Sequence, residues 1–400
     1  MGIQPLTSEV RHLPSNKTLI RACRALDVYK IWVNLPALSQ PTQGDVGDLQ
    51  RHDDDGIHKL ISLLRERRGV LMVGAGSSAI VGYPHWGNLI NELRGMFAPE
   101  LPKPTSDDIL KYSDQIKKSA NESRRIDEYY KFLDRIFAPH KNRQNYTEFH
   151  CALVKLGFCG LATTNYDMVL EFAAGAVNEG GDYRRCESID LCNKDRRYHV
   201  FDFLRSLSPE NLYISVLHLH GCHNNPKEII LTREDYLDKY GMKSHEEDSP
   251  PDPGRILDSL HRKVIWSLLV MHPLVFVGFS MSDPFFMDLL RIVQHDFSLD
   301  ADTVHFVIMG YSDAGERGEI ERRLKSYGVQ PVFYYAPKDR NGVVDHRGLQ
   351  NMIFDLQNIL EVEQHKPTEP KDEQKEKIEI PTKAGLPSLD EVNERTRGLY

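Results

Sequence analysis

Short, predominantly apolar runs recur along the chain, at 70–73, 159–163, 212–219, 274–277, 304–309 and 331–335. Runs of this length without polar alternation suit strands buried on both faces, as in a parallel sheet. Most are separated by stretches in which apolar residues return every three to four positions, over 168–174, 232–240, 256–271, 284–293, 314–327 and 347–360. That is the period of amphipathic helices. Strand and helix in alternation predict an α/β fold with a doubly wound, mostly parallel, Rossmann-like sheet. Ile57, Leu60, Ile61 and Leu64 predict a helix that delivers the chain to the first strand, with Arg65, Arg67 and Arg68 in its last turn and Gly69 as its stop. Past that strand, Leu89, Ile90, Leu93, Met96 and Phe97 share one helical face, where an ordinary dehydrogenase would lead into its second strand. A polar, helically periodic stretch follows, its apolar face marked by Ile126, Tyr129, Tyr130, Leu133 and Ile136. We read about 98–157 as a helical insertion.

The pattern fails at both ends. Residues 1–51 carry one apolar patch, 28–35, and no sustained period, and read as an N-terminal arm; 52–361 read as the folded domain. From 362 to 400 the text is charged and proline-bearing, too poor in apolar surface to fold alone, and reads as a flexible tail, with a short helix over 386–399 capped by Ser388.

Composition narrows the function. Lys and Arg number 50 against 58 Asp and Glu, a net charge of −8, which disfavours broad nucleic-acid binding through phosphate neutralisation. The longest apolar run, 268–279, is broken by His272 and Pro273 and falls short of the ~20 residues that span a bilayer. No membrane contact is expected, and MGIQPLTSEV has no secretory pattern, so a cytoplasmic protein is expected. Six cysteines, Cys23, Cys151, Cys159, Cys186, Cys192 and Cys222, form no C-x-x-C pair and are expected as reduced thiols. Cys186, Cys192, Cys222 and His223 match no structural zinc spacing, so no metal is expected.

Ligands of doubly wound sheets sit at the carboxyl ends of the strands, and four such ends carry polar text: GAGSS at 74–78, TTNYD at 163–167, HLHG at 218–221 and GFSMSDP at 278–284. Gly74, Gly76 and Ala79 satisfy G-x-G-x-x-G/A, in which a bare backbone and the N–H groups of the next helix receive a phosphate. A plain strand–helix turn has the same spacing. No G-x-x-x-x-G-K-S/T occurs, which removes the P-loop ATPases. Asn165 or Asp167 has an alternative role as cap of the helix expected from Met168, and Asp283 before Pro284 is a standard helix start. His218 and His220 share one strand face; Gly221 is expected to leave His220 exposed at the mouth of the turn, as a proton acceptor requires.

Taken in this order, the four stretches resemble the sirtuin family, in its divergent bacterial branch of NAD-consuming antiphage-defence proteins, over 57–360. The resemblance implies that the turn of Gly74, Ala75, Gly76, Ser77 and Ser78 binds NAD, that Asn165 acts in catalysis with Asp167 in the nicotinamide pocket, that His220 is the base, and that Gly278 and Ser280 hold ribose. Asp283, counted by this resemblance among the cofactor-binding residues, and the L-T-x-x-D-Y stretch at 231–236 match forms common in the divergent branch. Where protein-deacylating sirtuins carry G-I-P-D-F-R, this chain has Gly82-Tyr83-Pro84-His85-Trp86-Gly87, and their paired C-x-x-C zinc module is missing from the text. Water is therefore the implied acceptor: an NAD hydrolase giving ADP-ribose and nicotinamide. The branch also implies a homo-oligomer and a partner ATPase of the DNA-translocase type. Protein deacylation, ADP-ribosyl transfer and non-catalytic sensing of NAD or ADP-ribose stay open as alternatives.

The residues suit that chemistry. Cleavage of the nicotinamide–ribose bond neutralises a cationic base and leaves a positive ribosyl centre, so water must be placed and deprotonated. A neutral imidazole such as His220 can take that proton, an amide such as Asn165 can orient water or a hydroxyl, and Asp167 can favour the positive centre.

Overall fold

Strand β1 (Val70–Val73) is buried at every position, and its neighbours in the sheet explain why four apolar residues in a row were needed. The computed structural model describes residues 45–104, 109–178, 186–211, 213–240, 259–297, 304–340 and 342–364. With β1, strands β2 (Gly160–Thr163), β3 (Glu187–Asp190), β4 (Ser215–His218), β5 (Leu274–Val277), β6 (His305–Tyr311) and β7 (Val329–Tyr335) form one seven-stranded sheet in the order β3-β4-β2-β1-β5-β6-β7. Every pairing in it is parallel. From β1 the chain moves outward to β2 and on to the edge strand β3, steps back to insert β4 between them, then returns to lay β5 against the other side of β1. This reversal opens a crevice at the carboxyl ends of β1 and β5, the place where doubly wound sheets hold ligands.

Both faces are covered by helices. Val70 and Met72 of β1 join one cluster while Leu71 and Val73 join the other, as the two-residue strand period requires. In chain order the helices are α1 (Asp45–Arg65), α2 (Trp86–Phe97), α3 (Ile109–Glu122), α4 (Ile126–Phe137), α5 (Glu148–Lys155), α6 (Val169–Asn178), α7 (Arg197–Ser206) and α8 (Arg233–Lys239). Then come α9 (Leu260–Met271), α10 (Pro284–Asp296), α11 (Ala314–Lys325) and α12 (Arg347–Gln364). Helices α1, α5, α6 and α12 bury Leu60, Leu153, Ala173 and Ile353 on one face; α7, α9 and α10 bury Phe203, Leu268 and Phe286 on the other. At about 25 cal/mol per Å² of apolar surface, these two layers are the dominant stabilising term. A third cluster, built by α2, α3 and α4, takes in Val169 from the start of α6 and Ile229 and Leu231 from the loop after β4.

Four sequence expectations need correction. The arm ends earlier than 51, because α1 starts at Asp45; the rest of the arm and 365–400, with the helix expected over 386–399, lie outside the described residues. The stop of α1 is Arg67, in the left-handed region at φ 54°, whereas Gly69 lets Leu63 approach, a Cβ there standing 3.1 Å from Leu63 Cδ2. The insertion is shorter than 98–157, since α5 belongs to the layer on the sheet. Strand β3 and helix α7 are additions, with Glu187 exposed on its strand. The chain divides into two units, Met1–Glu361 and Val362–Tyr400, and the site lies in the first.

Candidate active site

The crevice is built on a backbone seam. Gly74 N–H donates to Val277 O and Gly76 N–H to Gly278 O, both at 2.9 Å, so the turns after β1 and β5 are laced together. Contact this close tolerates no side chain: a Cβ on Gly74 would stand 2.5 Å from Gly278 O, and one on Gly278, itself at φ +64°, 2.5 Å from Ser77 N. This changes the expected role of the glycine turn. A single α-helical turn, Ala75–Ser78, and a 3-10 turn, Ala79–Val81, follow Gly74, and the N–H groups of Gly74, Gly76 and Ser77 already bond to carbonyls of Val277, Gly278 and Gly74. They are not the open anion donors that the motif predicted.

Asn165 stands at the carboxyl end of β2, and its amide donates to Gly74 O at 3.1 Å and to Ser78 Oγ at 2.9 Å. It is not a helix cap. Asp167 does that work, Oδ1 accepting from Val169 N–H and from Ser78 Oγ, each at 3.1 Å. Ser78 thus links the two residues, and Ser77 closes onto Gly74 O. Burial pushes the Asp167 carboxyl up to about 6, opposed by its bonds to Val169 and Ser78 and by the charge of His218. His218, at the end of β4, donates from Nδ1 to Asn165 O at 2.9 Å and from Nε2 to Glu171 Oε1 at 2.7 Å.

His220 departs most from expectation. It is 3% exposed, not open at the mouth of the turn. Its Nε2 lies 3.0 Å from Tyr240 Oη, and the Tyr236 ring meets it edge-on at 5.3 Å. Burial lowers its pKa, with Asp283 opposing, so the imidazole is neutral at pH 7. Asp283 caps α10, Oδ1 accepting from Phe285 and Phe286 N–H, while Oδ2 accepts from Tyr236 Oη at 2.8 Å. Its oxygens are thereby committed within the protein. Ser280 is exposed, its hydroxyl 2.6 Å from that of Ser282.

Sequence reading missed three contributors. His150, on α5, accepts Thr147 N–H at Nδ1 and donates from Nε2 to Ser77 O at 3.1 Å; burial lowers it to about 4, which keeps this neutral tautomer. Nothing in a single helical histidine announces that reach. Tyr236 and Tyr240 were legible as an i, i+4 pair, and their rings stack at 5.6 Å over His220. Of the cysteine–histidine group, Cys192 Sγ instead lies 3.4 Å from His261 Nε2 and His223 pairs with Asp134. Among the described residues, no group of three His, Cys, Asp or Glu is arranged to hold a metal, and no helix is long and apolar enough to cross a membrane.

Comparison with known proteins adds three findings. The family profile of the SIR2-like domain matches residues 160–332. The chain is 26% identical over 242 residues to the NAD(+) hydrolase ThsA of Bacillus cereus (strain MSX-D12), covering 59% of this chain and 42% of that protein. It thus spans less than half of that relative's length. A crystal structure of a Sir2 homolog–NAD complex aligns at 13% identity and a TM-score of 0.35, over 76% of this chain and 94% of the other.

Proposed function

We propose that the SIR2-like domain of this chain hydrolyses NAD at the nicotinamide–ribose bond. One observation carries the reading: the Asn165 amide is bonded at once to Gly74 and to Ser78, which joins the two motifs implicated by resemblance at adjacent strand ends. Similarity over 242 residues to a protein named as an NAD(+) hydrolase supports it. In the reaction the C1′–N bond breaks with its electron pair going to nicotinamide, water forms the new C1′–O bond, and its proton passes to His220. Asn165 orients the water or a ribose hydroxyl, ionised Asp167 favours the positive ribosyl centre, and the exposed hydroxyl of Ser280 at the end of β5 takes a ribose hydroxyl. Ala75, Gly278 and the serines of the first turn line the dinucleotide. The wider reading is a regulated, NAD-depleting effector of antiphage defence in the cytoplasm, homo-oligomeric, with a DNA-translocase-type ATPase as partner and with 1–44 and 362–400 outside the catalytic domain.

His220→Ala and Asn165→Ala are each expected to lower NAD cleavage by on the order of 10² to 10⁴ with the circular dichroism of the fold kept. Separation of NAD, ADP-ribose and nicotinamide after incubation measures this; a folded variant within about threefold of wild type removes that residue's role. One observation favours the sensing alternative: Nε2 of His220 is engaged by Tyr240. NAD binding by calorimetry with no turnover, alone or with candidate partners, would select it.

A further inference from the structure

We propose that the buried pair His218–Glu171 is a positioning device for this reaction, clamping the segment that carries Asn165 and Asp167 and keeping Asp167 ionised. The inference rests on the NAD-hydrolase reading. His218 is the last residue of β4 and is wholly buried. A backbone carbonyl only accepts, so the 2.9 Å contact with Asn165 O requires a proton on Nδ1. An ionised carboxylate also only accepts, so the 2.7 Å contact with Glu171 Oε1 requires a second proton on Nε2. Both acceptors are satisfied together by imidazolium, and its pKa is accordingly raised to about 9, burial being outweighed by Glu171.

The two bonds fall on either side of Asp167. Asn165 precedes it in the loop and Glu171 follows it in the first turn of α6, so one ring fixes both ends of the loop. A neutral amide would hold the same backbone without the desolvation cost of a buried ion pair. The charge acts on Asp167, whose burial works against ionisation and which His218 holds down. The other titratable groups around the pair come from three elements: Asp190 at the end of β3, beside His218 in the sheet register, Cys186 just before β3, and Cys222 after β4. Cys186 and Cys222 are raised by burial and stay as neutral thiols, and Asp190 feels His218 as Asp167 does. His218 is therefore the cation that these carboxylates share.

The test uses the full chain with His218→Gln, which keeps a donor and removes the charge, and the isosteric Glu171→Gln as a second variant. In His218→Gln, kcat for NAD should fall about 10- to 100-fold with KM within about threefold, and the acid limb of the kcat profile should move up by about one pH unit. Glu171→Gln should add an alkaline limb below pH 9, as the imidazolium loses its partner. A readout independent of turnover is the carboxyl-carbon titration of Asp167 by NMR, expected to shift upward in His218→Gln, where the cation that holds it down is gone. An Asp167 titration unchanged in folded His218→Gln overturns the proposal. Wild-type protein that never cleaves NAD overturns the hydrolase reading instead, whatever Asp167 does.

Discussion

Asp167 is ionised against its surroundings, and that has a stability consequence. Its folded-state pKa of about 6 lies above the ordinary 3.8, so the fold binds its proton more tightly than the unfolded chain does. Stability from this group is therefore present below about pH 3.8, declines as pH rises through about 6, and stays lost at pH 7 and above. Asp167→Asn removes the penalty, since an amide oxygen can still accept from Ser78 and Val169. We expect its melting temperature at pH 7.5 to exceed wild type by a few degrees, with the gap closing near pH 4, while NAD cleavage falls at least ~10²-fold. Melting curves across that pH range check it; a variant less stable than wild type at pH 7.5 would contradict the assignment. The candidate residues stood out in the sequence because Gly, Asn, Asp and His followed apolar runs. The burial of His220 was not, because its cover, Tyr240, arrives 20 residues later through a helix whose docking no local pattern encodes.

At the scale of elements, the seam between the β1 and β5 turns sets what substitution there means. Gly278→Ala would combine a left-handed backbone with a Cβ 2.5 Å from Ser77 N, so we expect it to lower the melting temperature by at least ~4 °C. Gly76→Val stands 3.0 Å from Gly278 O at its Cβ, so lost NAD binding in that variant would report a disturbed turn as much as a blocked phosphate. Ser280→Ala, at an exposed hydroxyl, should leave melting within ~1 °C and raise KM. Differential scanning calorimetry separates the two classes, and a Gly278→Ala protein that melts with wild type would show that the turns are not laced. The buried strands β1, β2 and β5 could be read from their apolar runs. Strand β3 could not, because ESID sits at the sheet edge with only Ile189 buried, and α7 exposes Tyr198 and Phe201 and so lacks a clean apolar stripe.

The molecule as a whole ties its helical insertion to the sheet through the site's own loops. Val169, Ile229 and Leu231 enter the cluster of α2, α3 and α4, Ser113 Oγ donates to Leu231 O at 3.1 Å, and Lys117 pairs with Asp235 at 2.7 Å. The insertion and the sheet should therefore unfold together. Of three tryptophans, Trp86 reports on the cluster of α2, α3 and α4 and Trp266 on α9, so proteins keeping only one of these should give coincident denaturation curves. Separate midpoints would make the insertion an independent unit. The return of β5 to β1 has a further consequence, for synthesis. Val70 pairs with Leu274, about 200 residues later, so at roughly 5–20 residues per second the ribosome takes on the order of 10–40 s to emit the strand that completes the crevice. Until then one edge of β1 has no neighbour. A nascent chain thus carries an open, apolar strand edge through most of its translation, the kind of edge on which mispairing starts.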